Sequence, residues 1–286
     1  MSEIEKVTVL GAGVLGAQIA WHTAYKGKNV VVYDILADAL ERCRSAHEQY
    51  AEIYRTDVGA SPADIAATRS RLRYSADLAD AVEEADLVIE AVPEVPAIKT
   101  DVYQKMAPLL QPHTLIATNS STLLARDFAA ATGRPDKYCS MHYANLIWIM
   151  NVIEVMAHPH TSRETLREAT GFAIETGMVP IPVLKEQNGY VLNTWFVPLI
   201  TAAQTLVTNG ISTPEDVDRT YLKVNAGASM GPVALIDMVG MKTFFDVLSY
   251  WGQANGDQQM LDNAAYVKAH FLDKGLLGTA TGEGYY

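Results

Sequence analysis

Cysteine is nearly absent from the sequence. Only Cys43 and Cys139 occur in 286 residues, too few for a disulfide framework, so a reducing, cytoplasmic setting is the expectation. Positive charge is also scarce: 22 Lys and Arg stand against 33 Asp and Glu, giving a net charge of −11 and a pI near 5.1. Such a surface exerts no long-range pull on phosphate backbones or anionic lipid, which excludes nucleic acid and membrane surfaces as natural partners. Glycine and proline number 19 and 12 while 49% of residues are hydrophobic, a balance that belongs to folded chains and not to low-complexity ones. No basic segment leads into an apolar stretch at the start, so no secretory leader is expected. One long stretch, Gln187 to Pro214, carries no charge at all. Its Asn188, Asn193, Pro198 and Gln204 suit a helix buried by other helices better than one facing lipid.

What is present is alternation. Short apolar runs at Val7–Leu10, Val30–Tyr33, Leu87–Val92, Leu115–Thr118, Tyr138–His142 and Val152–Met156 are separated by helical patterns, the signature of a parallel sheet covered on both faces. The fold class is therefore α/β: a Rossmann-type, doubly wound domain over residues 1–185, followed by an all-helical domain over 186–286 that begins after the polar break Lys185–Gly189. Helices are expected from about Tyr190 to Thr208, after Pro214, around Lys242 to Gly252, and from Leu261 to Lys274.

Gly11, Ala12, Gly13, Val14, Leu15 and Gly16 form G-x-G-x-x-G between the first strand and a helical pattern, and the second strand ends at Asp34, eighteen residues after Gly16. In that context the glycines have separate tasks. Gly11 allows a tight turn, Gly13 leaves room for a pyrophosphate at the helix N-terminus, and Gly16 lets helix and strand pack closely. Asp34 would accept hydrogen bonds from ribose hydroxyls and repel a 2′-phosphate, so the expected cofactor is NAD. Glu94 and Lys99 follow the strand that ends near Val92; by spacing alone they read as a solvated pair.

His142 closes a strand at the ligand-binding edge. Glu154 falls within the next strand, on one face with Val152 and Met156. A carboxylate there needs a partner, and His142 could supply it: a glutamate orients an imidazole and favours its protonated form, which is what an acid/base group in hydride transfer requires. A structural histidine beside an edge-strand glutamate is the competing reading. His158 and His160 resemble a loop after a strand, with no metal expected. Arg69, Arg71 and Arg73 resemble a solvated helix end.

Taken together, Val9–Ala20, Ala91–Glu94 with Lys99, Thr118–Leu123, His142–Asn145, Glu154, Gly189–Asn193, Met230–Pro232 and Thr281–Tyr285 resemble the L-3-hydroxyacyl-CoA dehydrogenase family, and within it the bacterial diketoreductase branch. The resemblance implies that His142 is the catalytic acid/base with Glu154 as its partner, and that Ser121 and Asn193 hydrogen-bond the substrate. It further implies that Asn145 lines the pocket and that Glu94, Lys99 and Asn119 contact NAD. It also implies a homodimer, formed through residues after Gly189. One departure stands out: the proline and polar strand usual after His-x-x-Asn are replaced by Leu146–Met150. Alternation with Val152 and Glu154 places Trp148 and Met150 on the face of Glu154, where they would form an apolar wall for a 3-ketoacyl group or a small 3-ketoester. The competing functions are a non-catalytic NAD-binding protein and a dehydrogenase for a small hydroxy acid without CoA.

Overall fold

In the computed structural model, which describes residues 3–286, the chain divides into two units, Met1–Val191 and Leu192–Tyr286. The first is built on eight strands: β1 (Lys6–Leu10), β2 (Asn29–Tyr33), β3 (Leu72–Ser75), β4 (Leu87–Glu90), β5 (Leu115–Thr118), β6 (Tyr138–Tyr143), β7 (Val152–Met156) and β8 (Val179–Val183). Helices α1 (Val14–Tyr25), α2 (Ala37–Ile53), α3 (Pro62–Ser70), α4 (Leu78–Val82), α5 (Pro96–Met106) and α6 (Arg163–Glu175) cover them. The sheet order is β3-β2-β1-β4-β5-β6-β7-β8. Along β1, Val7 and Val9 enter one apolar cluster and Leu10 the opposite one, as a strand buried on both faces must.

The sheet departs from the parallel expectation at one place. β7 runs antiparallel to β6, with His142 opposite Glu154 in the register. The reason is connection length: residues 144–151 are too few for a parallel crossover and allow only a hairpin. Two strands escaped the sequence reading. β3 alternates Leu72, Arg73, Tyr74 at the sheet edge, and its Arg73 pairs with Asp80 at 2.5 Å; of the arginine cluster, Arg69 stands in the last turn of α3 and Arg71 is its C-cap, a helix end as expected, while Arg73 belongs to the strand. β8 reads Val-Pro-Ile-Pro-Val; two prolines argue against a central strand, yet an edge strand tolerates them.

The second unit holds α7 (Leu192–Thr208), α8 (Pro214–Val224), α9 (Pro232–Val239), α10 (Met241–Asn255) and α11 (Gln258–His270). Ile200, Ile236, Met241, Phe244, Leu248 and Val267 form its core. The short α9 was not expected; Pro232 at its first position starts it, and the Asp218 carboxylate accepts from the free amides of Val233 (2.6 Å) and Ala234 (2.9 Å). Among the described residues no helix is long and apolar enough to cross a membrane.

Candidate active site

The carboxyl ends of β1, β2, β4, β5 and β6 place the sequence-predicted residues along one edge of the sheet. At β1 the glycines act as backbone requires. Gly11 has φ 104°, and a Cβ there would lie 2.5 Å from the carbonyl oxygen of Ala91; a Cβ on Gly16 would lie 2.0 Å from the carbonyl of Gly11. Gly13 differs, because a Cβ there meets nothing within 4 Å. It is the N-cap of α1 and, having no side chain, leaves the amides of the first turn, beginning at Val14 and Leu15, without a side-chain cap. Asp34 sits beside this loop. Its Oδ2 accepts from the amide of Ala12 and its Oδ1 from that of Leu36, each at 2.9 Å. Uncapped amides at a helix N-terminus with a carboxylate one strand away fit a dinucleotide diphosphate and its ribose.

The Glu94 and Lys99 pair is not solvated. Lys99 is 1% exposed, with Nζ 2.7 Å from Glu90 and 3.1 Å from Glu94. Glu90, which sequence reasoning missed, is fully buried at the end of β4 and accepts four bonds: Val92 N and Lys99 Nζ on Oε1, Tyr103 OH and Thr118 Oγ1 on Oε2. Its signal was a charged residue closing an otherwise apolar strand. Partial burial pushes the Glu94 carboxyl up, but the Lys99 ammonium and the Ser120 and Thr122 donors outweigh this and hold it at about 2. Through Oε1, Glu94 grips Ser120 Oγ, Thr122 N and Oγ1 (both 3.0 Å) and Leu123 N (3.3 Å). Asn119 closes the other side of this loop, its Oδ1 accepting from Tyr143 N at 2.9 Å. The loop between β5 and residue 124 is thus fixed at both ends, and it carries Ser121.

Ser121 Oγ is 3.0 Å from His142 Nε2, and His142 Nδ1 is 2.9 Å from Glu154 Oε2. His142 and Glu154 are 4% and 1% exposed. Because an ionised carboxylate can only accept, Nδ1 is the donor to Glu154, which leaves Nε2 as the nitrogen that faces the serine hydroxyl. Glu154 Oε1 accepts in turn from Val191 N at 2.8 Å. The imidazole therefore presents one nitrogen, oriented by a buried carboxylate, toward a hydroxyl-bearing loop; that arrangement can pass a proton to or from an oxygen placed beside Ser121. Asn193 is on α7 of the second unit.

The expected strand through Trp148 and Met150 is absent. Leu146 has φ 57°, and its carbonyl accepts from Ile149 N and Met150 N at 2.8 Å, which makes residues 146–150 a turn. Gln18 of α1 holds the turn through Leu146 N at 2.9 Å. The Trp148 ring lies on α2 and its extension, 5.7 Å from Tyr50 and 6.1 Å from Tyr54. Period-two alternation therefore does not place Trp148 or Met150 with Glu154: a tight turn and an aromatic cluster override it. Asn145 stands at the start of this turn, half-buried. Among the described residues no group of three His, Cys, Asp or Glu converges to hold a metal ion.

Residues 6–187 match the family described as 3-hydroxyacyl-CoA dehydrogenase, NAD binding domain, and residues 189–286 its C-terminal domain. The rat mitochondrial hydroxyacyl-coenzyme A dehydrogenase is 31% identical over 99% of this chain and 91% of its own length. A solved diketoreductase structure, described in terms of dual catalysis of dicarbonyl compounds, superposes with TM-score 0.88 at 45% identity and covers 100% of this chain and 99% of its own. The (S)-3-hydroxybutyryl-CoA dehydrogenase of Ralstonia eutropha superposes with TM-score 0.81 at 28% identity and 99% coverage of both chains.

Proposed function

The chain belongs to the 3-hydroxyacyl-CoA dehydrogenase family of NAD-dependent oxidoreductases acting on 3-hydroxyacyl substrates, and we propose that His142 and Glu154 form the acid/base dyad by which it interconverts a 3-hydroxy group and the 3-ketone. The observation that carries this reading is the chain of contacts Ser121 Oγ, His142 Nε2, His142 Nδ1, Glu154 Oε2, at 3.0 and 2.9 Å, in a buried setting. Bound NAD supplies the hydride acceptor or donor; Gly11, Gly13, Val14, Leu15, Gly16 and Asp34 would hold it. In oxidation, His142 Nε2 takes the proton of the substrate hydroxyl while Glu154 stabilises the resulting imidazolium; in reduction the same nitrogen returns the proton to the forming alkoxide. Ser121 donates to the reacting oxygen, and its loop is fixed by Glu94 and Asn119. Asn145, at the start of the following turn, lines the acyl side.

The substrate class is read as 3-ketoacyl-CoA together with small free 3-ketoesters reduced to the S-alcohol. The turn 146–150 supports this, since Leu146, Ile147, Trp148, Ile149 and Met150 include no basic residue to demand CoA phosphates. The dicarbonyl chemistry described for the similar diketoreductase supports it as well. NADH consumption with acetoacetyl-CoA and with a free 3-ketoester tests it. Turnover of both is expected. Strict dependence on CoA would remove the ketoester reading, and tight NADH binding without turnover of either would favour a non-catalytic role. A cytoplasmic homodimer joined through residues after Gly189 completes the proposal.

A further inference from the structure

The segment that ends the first unit touches every member of the proposed dyad and its loop. Gly189 and Tyr190 both have positive φ, 77° and 53°; among the described residues Leu146 is the only other non-glycine in that region. A tyrosine held in the left-handed conformation is strained and persists only where the surroundings require it. Three contacts account for the requirement. The Tyr190 ring, 1% exposed, stacks on the His142 imidazole with centroids 4.6 Å apart and planes 17° from parallel. The next amide, Val191 N, donates to the Glu154 oxygen that His142 does not use, at 2.8 Å. The preceding side chain, Asn188, donates through Nδ2 to the carbonyl of Thr122, at 2.7 Å, on the loop that carries Ser121.

We propose that Tyr190 is a positioning residue for His142, its ring fixing the imidazole plane so that Nε2 stays aimed at the reacting oxygen. Once Nε2 turns from Ser121 to the reacting oxygen, the contact that remains at Nδ1 sets a direction and not a plane. The stacked ring supplies the missing restraint. The strained turn is then the backbone that delivers both a ring to the imidazole and an amide to the carboxylate. A glycine at 190 would relax the turn and lose the ring. The hydroxyl is no part of this role: stacking needs the aromatic face, which phenylalanine shares.

This inference rests on the dyad reading, and the test separates the two. Steady-state kinetics of 3-ketoester reduction are measured for Tyr190→Phe, Tyr190→Leu, His142→Gln and the Tyr190→Leu/His142→Gln double variant, with NADH affinity and circular dichroism on each. Tyr190→Phe should keep kcat within about twofold of wild type. Tyr190→Leu should lose roughly ten- to a hundredfold in kcat, the cost of misaligning a reacting group by a fraction of an ångström to about 1 Å, with KM and NADH affinity nearly unchanged. The double variant should be no slower than His142→Gln alone, because Tyr190 acts through the imidazole. A folded Tyr190→Leu with wild-type kcat would overturn the inference, as would a Tyr190→Phe as slow as Tyr190→Leu, or losses that add in the double variant. Wild-type turnover by His142→Gln would instead overturn the dyad reading itself.

Discussion

Replacing Lys99 by methionine would remove the one cation enclosed between Glu90 and Glu94. Lys99 and Glu90 are 1% and 0% exposed and their charged atoms are 2.7 Å apart, so the substitution strands a carboxylate that solvent cannot reach. Breaking a buried pair from one side costs about 3–5 kcal/mol, a large share of the roughly 5–15 kcal/mol that stabilises a folded protein. The cost should appear in urea unfolding followed by tryptophan fluorescence. Replacing both partners, Glu90→Gln with Lys99→Met, should recover part of it, because no unpaired charge then remains. A second effect follows from geometry. Glu94 is held ionised by Lys99 and grips Ser120, Thr122 and Leu123, so the variant should loosen the Ser121 loop and lower kcat along with stability. A loss under about 1 kcal/mol, the scale of an exposed surface pair, would refute the buried-network account.

Other consequences can be checked separately. NADH should be preferred over NADPH by roughly a hundredfold or more in kcat/KM, since a 2′-phosphate beside Asp34 meets like charge and loses a ribose hydrogen bond; Asp34→Ala should narrow the ratio without abolishing turnover, and a wild-type enzyme equally efficient with NADPH would contradict the assignment. Acid should destabilise the first unit through His22 and His47, which burial pushes from 6.5 down to about 4. Below pH 6.5 the unfolded chain binds protons that the folded state refuses, so stability falls as pH drops from 6.5 toward 4, by about 3 kcal/mol for each histidine at the end of that window; chemical denaturation giving equal stability at pH 7 and pH 5 would refute it. Light scattering at micromolar concentration should give a dimer mass, and a monomer would contradict the proposed assembly.

Legibility differed by kind of signal. The glycine loop, Asp34 and the pairing of His142 with Glu154 were readable because each depends on local spacing: a turn, a strand end, and a face. Period-two alternation put Glu154 on one face with Val152 and Met156 and made His142 a possible partner; the antiparallel register that sets the two opposite each other was not foreseen. Long-range burial was not readable in the same way. Lys99 reads as a surface lysine because the glutamate that encloses it, Glu90, comes nine residues earlier on a different element. Trp148 was misplaced because alternation was extended through a segment where Leu146 takes a left-handed turn, and its rings of contact, Tyr50 and Tyr54, lie about a hundred residues away in sequence. β8 was obscured by its prolines and α9 by its shortness. Tyr190 stood inside a recognisable Gly-Tyr motif, yet nothing in a sequence says which ring will stack on which imidazole.

The most direct test of the account is the turnover number of His142→Gln in ketone reduction, measured beside its affinity for NADH. Glutamine keeps the size and a hydrogen-bonding end but cannot exchange the proton, so kcat should fall by about a hundred- to ten-thousandfold while the NADH dissociation constant stays within about twofold of wild type. Wild-type kcat in a folded His142→Gln enzyme would show that another group moves the proton and that the contact between His142 and Glu154 is structural.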